Sequence, residues 1–134
     1  MSASTGTTIW HALIRTHHIT SRKKVAKLKQ AAAVHDVFVL LRSGSSPGIM
    51  YVEGRKSGVE DWVVTVQKLR YKDYQLAAQP DATRRECDVD VKNMAAVGLY
   101  ETESVREFGR RMQARGVFEW WRRGMGYSGP GERF

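Results

Sequence analysis

An α+β sandwich with the element order βαββαβ is predicted by three observations. A strand-like stretch at residues 10–17 is followed by a basic amphipathic helix at 21–35 and an apolar run of strand length at 37–42. Ser46-Pro47-Gly48 then makes a turn into Ile49-Met50-Tyr51-Val52-Glu53-Gly54, a short strand with an aromatic at its middle. Residues 57–70, next in line, carry a helical apolar stripe. A fourth strand near 74–78 completes a ferredoxin-like fold: a four-stranded antiparallel sheet with helices on one face, plus a C-terminal helical extension. Strands one and three are central in that fold, and their second face is expected to lie open.

Each element has a local reason. In the first strand Trp10, Ala12 and Ile14 share one face, while His11, Leu13, Arg15 and His17 share the other. Thr20 or Ser21 can cap the first helix, where Val25, Leu28 and Ala32 form a stripe opposite Lys23, Lys27 and Gln30. Val37-Phe38-Val39-Leu40-Leu41 is continuously apolar, and residues 43–48 supply the hairpin loop. Val59, Trp62, Val63, Val66 and Leu69 follow the i, i+3, i+4, i+7 pattern of a well-buried second helix, whose basic end suits the helix dipole. Residues 79–90, with Pro80, are expected to be a loop, followed by an extended piece near 91–99. Ser104-Val105-Arg106-Glu107 has capping-box spacing and opens a third helix with Val105, Phe108 and Met112 on one side and Gly116 as terminator. The aromatic segment 117–123 is expected as a helical turn packed on the domain. The layout is thus a flexible tail at 1–8, one domain at 9–123 and a flexible tail at 124–134.

Composition narrows the function classes. Lys and Arg number 22 against 14 Asp and Glu, a formal charge of +8 over 134 residues, which favours polyanionic partners without specifying a fold. The single cysteine, Cys87, excludes an intramolecular disulfide framework and fits a reducing compartment. No apolar run approaches the roughly 18 residues of a membrane span, and the start of the chain has no secretory pattern. Nuclear or cytoplasmic residence, with no membrane partner, is expected.

The ordered series of motifs is more specific than the composition. His17-His18-Ile19, a basic helix, an apolar strand, the run from Pro47 to Gly54, an aromatic-bearing helix, Ser104-Val105-Arg106-Glu107-Phe108, Gly116 and Trp120-Trp121 follow in sequence. Over about residues 9–123 this resembles the C-terminal domain of the spliceosomal small nuclear ribonucleoprotein Prp-three, a domain also found after RWD domains. The resemblance implies a ferredoxin-like fold. For the splicing branch it also implies binding of paired small nuclear RNA with an adjoining single strand, in pre-mRNA processing.

The residues themselves support binding rather than catalysis. Arg15, His17 and Tyr51 are expected on the open sheet face, where an aromatic can stack on a base. Arg22, Lys23, Lys24 and Lys27 on the first helix, joined by Lys68 and Arg70 at the end of the second, are expected to meet phosphates. A metal site is disfavoured, because adjacent His17 and His18 point to opposite faces of a strand. Gly54-Arg55-Lys56-Ser57-Gly58 opens a helix but lacks Walker spacing, and no nucleophile elbow or dinucleotide turn is present. No enzyme activity, cofactor or metal is expected. The alternative is a protein-interaction module presenting Phe118, Trp120 and Trp121 to a protein partner.

Overall fold

The computed structural model describes residues 8–86 and 96–127. The six expected elements follow in order: β1 (Trp10–Thr16), α1 (Arg22–Val34), β2 (Phe38–Arg42), β3 (Gly48–Gly54), α2 (Lys56–Lys68) and β4 (Gln75–Ala82). Then come β5 (Gly98–Thr102), α3 (Val105–Ala114) and α4 (Phe118–Met125). The fold is α+β and ferredoxin-like, with sheet order β4-β1-β3-β2-β5. The sheet is larger than expected, since β5 adds a fifth strand parallel to β2. Cys87 and most of the extended piece expected at 91–99 lie outside the described residues, as does the tail up to residue 7.

Local chemistry sets the element ends. Ser21 is the cap of α1, its hydroxyl accepting from the Lys24 amide at 3.2 Å, and Ser104 Oγ accepts from the Glu107 amide at 3.0 Å. The Glu107 carboxylate turns instead to Arg110 and Arg111 on its own helix. β4 runs on through Pro80, where a loop was expected. Among the described residues it pairs only with β1, and the register slips between His11–Asp81 and Leu13–Ala78. A proline without an N–H is tolerated at such a bulge on an edge strand.

Two cores flank the sheet. Ala12, Ile14, Val39, Leu41, Met50 and Val52 face α1 and α2, where Leu28, Val59, Trp62 and Val66 are fully buried. The Trp62 indole N–H donates to the Leu28 carbonyl at 3.2 Å, closing the α1–α2 seam. On the opposite face Leu13, Phe38, Leu40, Ile49 and Tyr51 pack against Phe108, Met112, Val117, Trp121 and Met125 of the C-terminal layer. Helices therefore cover both faces, and the open face expected from the sequence does not exist. The tail expected from residue 124 also starts too early: Met125 is buried, and α4 ends only at Gly126, whose φ of 85° suits a left-handed cap.

Gly58 lies tight against the end of α1, because a Cβ there would lie 2.5 Å from the His35 carbonyl oxygen. Alanine normally stabilises a helix interior by about 1 kcal/mol over glycine. Here the backbone contact should reverse that sign, so Gly58→Ala is expected to lower stability by about 1–3 kcal/mol in urea unfolding.

Candidate nucleic-acid interface

The expected phosphate-binding cations gather at one end of the domain. β1 ends where the His17 amide donates to the Lys72 carbonyl at 2.9 Å, tying the strand to the turn between α2 and β4. That turn is tight: Arg70 and Asp73 hold φ of 55° and 56°, in the left-handed region. Between them Tyr71 is buried in the core, with the Lys24 ammonium 4.8 Å over its ring. The first turn of α1 thus lies against the turn carrying Arg70 and Lys72, with Lys68 at the last position of α2. Lys23, Lys27, Lys68, Arg70 and Lys72 are exposed, and none has an acid partner among the described residues. Lys23 and Lys27 are one helical turn apart, so they repel rather than compensate.

Other predicted residues are spent on the fold. Arg22 makes a two-pronged pair with Glu101 at 2.9 and 2.7 Å, linking α1 to β5. This hydrogen-bonded partner holds the Glu101 carboxyl below its ordinary range. Arg15 donates to the Met125 carbonyl at 3.2 Å, satisfying the end of α4. His17 is half-exposed and sits 3.5 Å from Asp73, so it borders the basic end without adding an unpaired cation.

Tyr51 corrects the sequence reading outright. It is fully buried beneath the C-terminal layer and cannot stack on a base. Its hydroxyl donates to Glu53 Oε1 at 2.6 Å. Glu53 in turn accepts from Arg115 at 2.6 Å and from Arg85 at 3.1 Å. Arg115 is itself buried, 3.7 Å above the Phe38 ring. Burial alone would raise the Glu53 carboxyl, but the Arg115 hydrogen bond and charge, with Arg85 and Tyr51, bring it down to about 2. Burial, reinforced by the Glu53 charge, drives the Tyr51 phenol well above its ordinary range. Next to it His11 places Nδ1 3.2 Å from the Tyr51 oxygen and stacks on Trp120 at 3.8 Å between centroids. Burial lowers His11 to about 4, against the upward pull of Glu53, Asp81 and Glu86 and with a further push from Arg85.

Sequence reasoning missed Glu53, Arg115, Arg85 and His11 as a unit. The available signal was a single acid closing an otherwise apolar strand. The aromatic C-terminus is docked: Trp121 is fully buried against Phe108, and Phe118 and Trp120 are partly buried in the same core. Among the described residues no cluster of His, Cys, Asp or Glu is arranged to hold a metal, and no helix is long and apolar enough to cross a membrane.

No protein-family model matches the chain, and no curated protein does. Among solved structures, the BLUF domain of BlrP1 is similar, with a TM-score of 0.54 over 83% of this chain and 78% of that one, at 13% identity. At that identity the likeness is one of fold.

Both buried groups make the fold acid-sensitive. The unfolded chain takes up the His11 proton near pH 6.5 and the folded chain only near 4, so stability is lost as pH falls through that window. Glu53 adds a second loss between 4.5 and 2, where the unfolded carboxyl protonates first. Urea unfolding is expected to show a drop of about 3 kcal/mol between pH 6.5 and 4, flattened in His11→Gln. Glu53→Gln, which leaves Arg115 buried without its counter-charge, is expected to cost about 3–5 kcal/mol at pH 7.

Proposed function

We propose that this domain binds RNA through the basic end formed by α1 and the α2–β4 turn, without the sheet face. The observation that carries the reading is the contact of α1 with the turn after α2, through Lys24 over Tyr71, which sets the exposed Lys23 and Lys27 of an acid-free helix at the same end as Lys68, Arg70 and Lys72. Cations held on rigid elements in mutual repulsion gain when phosphates replace their counterions. Tyr71 at the centre of this surface is buried rather than free to stack, so the cations suit the regular phosphate spacing of a paired helix better than unpaired bases. The resemblance to the splicing-factor domain suggests small nuclear RNA as the partner, and the single cysteine suits a nuclear or cytoplasmic setting.

Fluorescence anisotropy with a short RNA duplex carrying a 3′ overhang, at two salt concentrations, tests this. Lys23→Glu combined with Lys27→Glu is expected to weaken binding at least about tenfold and to reduce the salt slope by roughly one per lost phosphate contact. The thermal midpoint should stay unchanged. Equal binding by the folded double variant would remove α1 from the interface.

A further inference from the structure

A second site lies at the far end of β1, on the other face of the sheet, and it does not depend on the RNA reading. A cavity of about 270 Å³ is walled by the segment 81–86 and by α4, with His11 at its floor and Trp120 at its side. Its frame is fixed by bonds that leave few groups uncommitted. The Thr83 amide donates to the Ile9 carbonyl and the Glu86 amide to the Gly116 carbonyl, both at 2.7 Å. The Glu86 carboxylate accepts from the amides of Glu119 and Trp120 at 3.0 and 2.9 Å, so the start of α4 is already capped. Asp81 accepts from the Ala82 amide, and Arg85 is held by Glu53 and the Arg115 carbonyl.

The hydrogen-bond chain settles what the floor offers. Glu53 is ionised and the Tyr51 phenol keeps its proton, so that proton points to Glu53. The Tyr51 oxygen is left as an acceptor, and His11 Nδ1 must carry the hydrogen that faces it. A neutral imidazole has one proton, so Nε2 is a bare acceptor. It has no partner among the described residues, and the inward turn of Nδ1 leaves the Nε2 edge for the cavity. At the mouth Arg84 and Arg123 are exposed guanidiniums with no acid partner among the described residues.

We propose that this cavity binds a nucleoside monophosphate, its base N–H donating to His11 Nε2 beside Trp120 and its phosphate held by Arg84 and Arg123. Two guanidiniums suit a doubly charged phosphate. A buried acceptor selects a ligand with a donor, since an unmatched polar contact costs affinity. The volume is just below the usual range of roughly 300–1,000 Å³ for small-molecule sites, so one nucleotide at most would be held, with its phosphate outside at the arginines. Inorganic phosphate would leave the floor unused, and a nucleoside would leave the mouth unused.

The test is an amide and indole NMR titration of the full chain with AMP, GMP, CMP and UMP, against inorganic phosphate and the matching nucleosides. Saturable shifts at Trp120 and residues 81–86 are expected for at least one nucleotide, bound about tenfold or more tightly than either fragment. A 5′-phosphorylated trinucleotide run in parallel tells a strand end from a free nucleotide: binding by both supports the former, by the mononucleotide alone the latter. Arg84→Ala with Arg123→Ala, both at exposed positions, should weaken binding about tenfold. His11→Phe, which keeps a ring on Trp120 without the acceptor, should weaken it while leaving phosphate affinity unchanged. If His11→Phe does not fold, the arginine pair decides alone. Absence of saturation, equal affinity for inorganic phosphate, or shifts confined to α1 and residues 70–72 would overturn the proposal. The Lys23→Glu, Lys27→Glu protein should retain this site, so failure of the RNA reading and failure of this one are separable.

Discussion

Glu53 is the point on which the two-sided sandwich depends. It sits on the last full turn of pleat in β3, and its two oxygens take hydrogen bonds from Arg115 at the end of α3, Arg85 after β4, and Tyr51 on its own strand. An ionised carboxylate at that depth is tolerable only because two guanidiniums surround it, and each guanidinium is tolerable only because the carboxylate is there. The group therefore couples three chain segments that share no secondary structure. It holds the C-terminal layer against a sheet face that would otherwise lose about 1.5–3 kcal/mol for each large apolar side chain left in water.

Covering that face determines where a polyanion can be met. A ferredoxin-like domain with a bare sheet would offer its central strands to bases. Here those strands offer Leu13, Ile49 and Tyr51 to Phe108, Trp121 and Met125. Away from the His11 cavity with its Arg84 and Arg123, the outer side of α1 and the turn after α2 carry long cationic side chains that no carboxylate pairs with among the described residues. Arg22 and Arg15 show the complementary rule. An arginine within reach of a carboxylate or a helix-end carbonyl is taken up by the fold, and only the cations that reach neither stay available.

The element order, the caps at Ser21 and Ser104 and the parity of β1 were legible in the sequence, because each rests on contacts a few residues apart. The covered face was legible too, in principle. Val37-Phe38-Val39-Leu40-Leu41 has no polar alternate, and Leu13, Ile49 and Tyr51 all lie on the face expected to be open. A strand that is apolar on both sides needs a layer on both sides. The Glu53 cluster was not legible, since Glu53, Arg85 and Arg115 are 30 to 62 residues apart and nothing local marks Arg115 as buried. The β4 extension through Pro80 was hidden by a rule that holds for central strands and fails at a bulged edge.

Gly124 shows how a correct local rule can point the wrong way. A glycine near a chain end normally marks fading order. Here a Cβ at 124 would lie 2.6 Å from Leu13 Cδ2, so the absent side chain is what lets α4 settle on β1. The contacts run in step along both elements: Trp120 on His11, Gly124 on Leu13, and the Met125 carbonyl on Arg15. From His11 to Arg15 the strand rises about 13 Å, while Trp120 to Met125 spans about 7.5 Å of helix. The long Arg15 side chain makes up the difference. The polar ends of that strand face, a histidine and an arginine around a leucine, are thus matched by one short helix lying along them in the same sense. Its aromatic end must reach His11 for its carbonyl end to be satisfied, which is why the cavity at His11 is built into the packing of the fold.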